Sequence, residues 1–126
     1  LFPYTTLFRS IPRVDIVYSH ADDDGVMVRA ACDAGARAIV HAGTGNGSIH
    51  CCTDEALADA ADAGVLIIRA SRVTTGAVTT GLAEWQERGY VPAGTLTPQK
   101  ARVLAQLVVA EYGQVQSALA EAFSKY

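Results

Sequence analysis

Val14-Asp15-Ile16-Val17-Tyr18, Ala38-Ile39-Val40-His41-Ala42 and Val65-Leu66-Ile67-Ile68-Arg69 are three short runs rich in β-branched residues, separated by intervals long enough to hold a helix each. Their apolarity is nearly continuous rather than alternating, the pattern of strands covered on both faces. Between the first two, Met27, Ala30, Ala31 and Ala34 fall at i, i+3, i+4 and i+7 and stop before Gly35. Between the second and third, Leu57, Ala60 and Ala61 mark another helix that stops before Gly64. A β-α-β-α-β order of this kind implies right-handed crossovers and a parallel sheet.

Beyond Arg69 the chain becomes polar and glycine-punctuated from Ser71 to Gly81, a connection long enough to be a functional candidate. A short strand is expected at Tyr90 to Ala93. Thr97-Pro98 then supplies an N-cap followed by proline at the first helical position, with Ala101, Leu104, Ala105 and Val108 on one face up to Gly113. Val115, Ala118, Leu119 and Ala122 mark a last helix. The expected fold class is α/β, a small flavodoxin-like (Rossmann-like) three-layer domain with a short parallel sheet between helices.

The chain has 126 residues, 50% hydrophobic and 18% charged, with 10 Lys+Arg against 13 Asp+Glu and a formal charge of −3. This is the size of one domain able to bury its own core, and the composition excludes a disordered segment. Scattered basic residues under a mildly acidic balance argue against nucleic acid or an anionic membrane as partner. The longest apolar stretches are far shorter than the roughly 18 residues that cross a bilayer. Cys32, Cys51 and Cys52 are an odd set with two neighbours, which does not define a redox compartment. Residues 1–10 are rich in Phe, Tyr and Thr, unlike the Ala-, Val- and Gly-rich remainder, and resemble the translation of a sequencing adapter. They are expected to be a non-native leader, with the domain spanning 11–126.

Ala42-Gly43-Thr44-Gly45-Asn46-Gly47-Ser48 directly follows the second strand. Ligands of open parallel sheets sit beyond the carboxyl ends of strands, and glycines let backbone amides approach them closely. A dinucleotide fingerprint would need Gly where Ser48 stands and would follow the first strand, so that reading fails. Two readings remain at this point: a ligand-binding loop, or a sharp turn that needs positive φ.

Three segments together resemble the C-terminal domain of bacterial type II L-asparaginases and glutaminase-asparaginases: Ile39 to Ser48, then Ile67-Ile68-Arg69-Ala70-Ser71-Arg72-Val73, then Ala93-Gly94-Thr95-Leu96-Thr97-Pro98-Gln99-Lys100-Ala101-Arg102. The resemblance runs from about Val14 to Tyr126. It implies hydrolysis of L-asparagine, and in some members L-glutamine, to the acid and ammonia, without metal or organic cofactor. The family's nucleophile lies in an N-terminal domain, in Thr-Gly-Gly-Thr and His-Gly-Thr-Asp-Thr motifs, and neither motif occurs here. The resemblance therefore implies the C-terminal third of an enzyme, with no catalytic residue of its own and no activity alone.

The resemblance also implies that this domain completes a neighbouring subunit's site by holding the substrate's α-amino end, through Asn46, Ser48 and Glu84. Members carry Asn or Ser at the position of Ser48, and Glu84 sits with a one-residue gap relative to common members. A carboxylate can pair with the ammonium while hydroxyl and amide groups complete its hydrogen bonds. Further implied are a homotetramer, the missing N-terminal domain as partner, and a periplasmic or secreted location.

Other groups carry blander readings. His41, His50, Cys51 and Cys52 match no common zinc spacing, so no metal is expected. Asp22-Asp23-Asp24 reads as a helix cap with favourable charge at the dipole's positive end. Thr74-Thr75 and Thr79-Thr80 have no base near them in sequence, and Arg72 and Lys100 read as structural ion-pair or capping partners. A second function, from a different class, is a stand-alone flavodoxin-like domain whose glycine loop cradles a small ligand or anion.

Overall fold

The computed structural model describes residues 11–73, 76–79 and 81–126. The expected leader, Thr74-Thr75 and Thr80 lie outside them. Four parallel strands form one sheet in the order β1-β2-β3-β4: β1 (Val14–Tyr18), β2 (Ala38–Gly43), β3 (Leu66–Ser71) and β4 (Val91–Pro92). The registers run Val14↔Ala38 to Tyr18↔Ala42, then Ala38↔Leu66 to Gly43↔Ser71, and finally Ile68↔Val91 and Arg69↔Pro92. A consecutive order with right-handed crossovers places every connecting helix on the same face. Accordingly α1 (Val26–Asp33), α2 (Cys51–Asp62) and Trp85 of the short α3 (Ala83–Glu87) share one core with Val17, Ile39 and Ile67. The two helices after the last strand, α4 (Pro98–Tyr112) and α5 (Gln116–Lys125), cover the other face over Val14, Val40, Ile68 and Val91. The expected three-layer α/β domain is what forms.

Side-chain alternation along the strands decides what the site is built on. In β2 and β3, Val40, Ile68 and Ala70 enter the α4/α5 core and Ile39 and Ile67 the opposite one. By the same period, His41 and Arg69 point to the α1/α2 side. They are register partners, and both are fully buried.

Some local expectations hold in detail. Thr97 caps α4, its Oγ1 accepting the Lys100 N–H at 3.3 Å with Pro98 at the first turn. Others are corrected. The core side of α1 is Val28 and Ala31, while Met27 is 59% exposed and Ala30 and Ala34 face solvent. The long connection after β3 ends in α3, five residues long and too short to show a period. The cap of α1 is Gly25, which lends no side chain; Asp24 Oδ1 accepts the Val26 N–H at 3.1 Å, and Asp23 turns inward and is buried. Among the described residues no helix is long and apolar enough to cross a membrane.

Candidate functional site

The glycine loop leaves β2 at its carboxyl end and folds back on itself. Thr44 and Ser48 form an isolated antiparallel bridge, with the Ser48 N–H donating to the Thr44 carbonyl at 3.0 Å. Two glycines are required by this return. A Cβ on Gly43 would lie 2.2 Å from the Ser48 carbonyl oxygen. Gly47, at φ +69°, leaves only 3.1–3.3 Å to Val78, the Ala70 carbonyl and Arg69 Nη2. The turn reading of the sequence is therefore correct for the backbone. It also weakens the anion cradle, because the Ser48 amide is already spent inside the turn.

Asn46, at the tip, reaches the connection after β3. Its Nδ2 donates to Thr79 Oγ1 at 2.9 Å, and its Oδ1 accepts the Thr79 N–H at 2.8 Å. One N–H and one lone pair of the amide remain for a ligand. Ser48 is exposed at the end of the turn. Glu84 is exposed on α3 and lies 4.0 Å from Arg88. Arg88 ties that helix to α2 by donating to both carboxylate oxygens of Asp54, at 3.1 and 3.0 Å. Glu84 makes no hydrogen bond to Asn46 or Ser48 among the described residues, so the three do not form one internal network.

What joins the pieces is Arg69, a residue that in the sequence marks only the end of a strand. From inside the sheet its Nη2 donates to the Asn46 carbonyl at 2.5 Å and its Nη1 to the Thr79 carbonyl at 2.7 Å. Its guanidinium lies 4.2 Å from the centroid of Trp85, beside Glu84 on α3. One buried cation thus fixes the glycine loop, the connection and the helix that carries the acidic candidate. The available signal was a permanent charge in an otherwise apolar, doubly covered strand, which must find acceptors. Arg72 donates to the Ser19 carbonyl at 2.9 Å and forms no ion pair among the described residues, so its contact there is with backbone.

A family model described as Glutaminase/Asparaginase C-terminal domain matches residues 13–123. The L-asparaginase 2 of Escherichia coli (strain K12) is 42% identical over 92% of this chain and 33% of its own length. The glutaminase-asparaginase of Pseudomonas fluorescens biotype A is 42% identical over 80% of this chain and 28% of its own. A solved structure described as a probable cytoplasmic L-asparaginase from Campylobacter jejuni superposes with a TM-score of 0.85 at 36% identity, covering 91% of this chain and 37% of that one. The chain spans about a third of the length of these relatives. A match over nearly every described element, at this identity, sets aside an unrelated ligand-binding domain: the chain belongs to the Glutaminase/Asparaginase C-terminal domain family.

Proposed function

We propose that this chain is the C-terminal domain of an L-asparaginase that hydrolyses L-asparagine, with L-glutamine as a second substrate, to the acid and ammonia, and that it completes the active site of a neighbouring subunit. The observation that carries the reading is 42% identity to an L-asparaginase 2 across 92% of the chain. The domain supplies no nucleophile; a threonine hydroxyl needs an adjacent base or aligned network to react, and that assembly belongs to the upstream domain. Asn46, Ser48 and Glu84 hold the substrate's α-amino group, Glu84 by charge and the other two by neutral hydrogen bonds. A covering neighbour is supported by the exposed apolar surface of α4. Val103 and Leu107 are 51% and 63% exposed and line a groove with Leu96, Leu104 and Tyr126, the kind of patch that marks an interface. The assembly proposed is a homotetramer. The location proposed is the periplasm or outside the cell, on the strength of the type II motifs.

The test is a chimera in which this domain replaces the C-terminal domain of an L-asparaginase 2. Ammonia release from L-asparagine is expected from the chimera and from neither part alone. Release by the 126-residue chain alone, or an inert but folded chimera, would overturn the reading.

In an active chimera, Glu84→Gln keeps the shape and removes the charge. A charge-assisted contact is worth about 1.5–3 kcal/mol, so kcat/KM is expected to fall about ten- to hundredfold. Ser48→Ala should cost less, on the order of 1 kcal/mol, as a neutral hydroxyl bond. Both residues are exposed, so thermal midpoints should stay put. Unchanged kinetics for Glu84→Gln, with a loss for Ser48→Ala, would remove Glu84 from the site.

A further inference from the structure

We propose that His50, Cys51 and Cys52 form a binding site for one divalent cation of the zinc class at the start of α2. Sequence spacing alone predicts no such site, because it groups these residues with His41 and matches no common pattern. In the fold His41 is buried in the sheet, whereas the three consecutive residues are exposed and their ligand atoms all lie within 4.8 Å of one another. They converge because His50 is the N-cap, with extended backbone at φ −67° and ψ 145°, and Cys51 and Cys52 are the first two helical residues. The change from extended to helical backbone at that point brings side chains together that would diverge inside a helix.

The spacing matches a metal. Tetrahedral zinc with sulfur at about 2.3 Å sets two thiolates about 3.8 Å apart, and a sulfur and an imidazole nitrogen about 3.5 Å apart. Here Cys51 Sγ and Cys52 Sγ are 3.9 Å apart, and Cys51 Sγ and His50 Nδ1 are 3.9 Å apart. These two spacings require adjustments of a few tenths of an ångström, and the third pair, Cys52 and His50, lies within 4.8 Å and closes by rotation of exposed side chains. The Nδ1 atom now accepts the Cys52 N–H at a long 3.4 Å, a weak bond to exchange for a metal. The positive end of the helix dipole disfavours a bare cation but favours thiolates, and two thiolates neutralise a divalent ion. The hydrogen bond with Cys51, then burial and the charges of Glu55 and Asp24, hold the Cys52 thiol above its ordinary pKa, so metal binding must displace its proton while the same two carboxylates attract the cation. Three protein ligands leave a fourth position to water. Two sulfurs and one nitrogen select a soft or borderline ion over magnesium or calcium.

The site is tested on the 126-residue chain, kept anaerobic in a phosphine reductant, by titration with Co²⁺ and displacement by Zn²⁺. Expected are one metal per chain, intense d–d bands of a tetrahedral centre and a thiolate-to-cobalt charge-transfer band that zinc abolishes. Losing an outer-shell partner alone costs about 10–100-fold in metal affinity, so Cys51→Ser, Cys52→Ser and His50→Ala should each weaken binding by at least that range. Cys32→Ser, at the far end of α1, should bind as the parent does. Circular dichroism verifies that each exposed variant still folds. No charge-transfer band, uptake that survives Cys51→Ser and Cys52→Ser, dependence on Cys32, or one metal shared by two chains would each overturn the site.

Discussion

Arg69→Leu is expected to lower the stability of this domain by about 3–5 kcal/mol, a large share of the roughly 5–15 kcal/mol that holds an ordinary domain folded. Arg69 is fully buried, and among its contacts with the described residues it donates to the carbonyls of Asn46 and Thr79. Burial pushes its pKa down, but a guanidinium remains charged at neutral pH. Replacing a buried ion pair by well-packed apolar residues can be neutral when both partners go. Here two of the partners are the backbone carbonyls of Asn46 and Thr79, which no substitution removes. Each is left to lose about 1–3 kcal/mol if it stays dry, and the contact over Trp85 goes as well. Arg69→Lys keeps a charge but cannot present two nitrogens in a planar fork, so it should recover only part of the loss. Urea unfolding of the three proteins checks this order. If Arg69→Leu unfolds at the parent's midpoint, the clamp is energetically idle. In the active chimera, Arg69→Lys should also raise KM, because the loop and the helix carrying Glu84 are no longer held in one geometry.

That clamp also shows where the sequence stopped being informative. Continuous apolar runs at Val14, Ala38 and Val65 identified three strands because burial on both faces leaves a composition signature. Thr97-Pro98 identified the start of α4 because capping is local chemistry, settled within three residues. The glycine loop left two readings open, a turn or a ligand-binding loop, because glycine spacing serves both. The Asn46 and Thr79 carbonyls that Arg69 reaches are 23 and 10 residues away in the chain, and the Asn46–Thr79 pair spans 33, so these meetings depend on the sheet register. The face of α1 went astray because apolar residues at 26, 27, 28, 30 and 31 fit several stripes of an eight-residue helix. Only the packing against α2 selects Val28 and Ala31. The His50-Cys51-Cys52 cluster was hidden by the opposite problem, since side chains of consecutive residues normally diverge.

His41 sets the second large expectation, a loss of stability in acid. It is fully buried beside Arg69, and neither ring nitrogen has a hydrogen-bond partner among the described residues. Burial lowers its pKa to about 4; Asp23 and Asp54 pull upward and Arg69 adds to the lowering. The unfolded chain binds the proton near pH 6.5, so between about 6.5 and 4 it holds more protons at this site than the folded chain does. Stability therefore rises with pH across that window. It is fully present above 6.5 and lost progressively as pH falls towards 4, by about 3 kcal/mol from this residue. Carboxylates add their own dependence at lower pH, so the comparison must be differential. His41→Leu removes the titration while staying apolar, and its unfolding free energy, whatever its level at pH 7, should fall less steeply between pH 6.5 and 4 than that of the parent. Parallel curves for the two proteins would mean that His41 gains its proton as easily folded as unfolded. A second cation can be accepted beside Arg69 only if the α2 side of the sheet admits water, and the parallel result would then also argue against a dry Arg69 clamp.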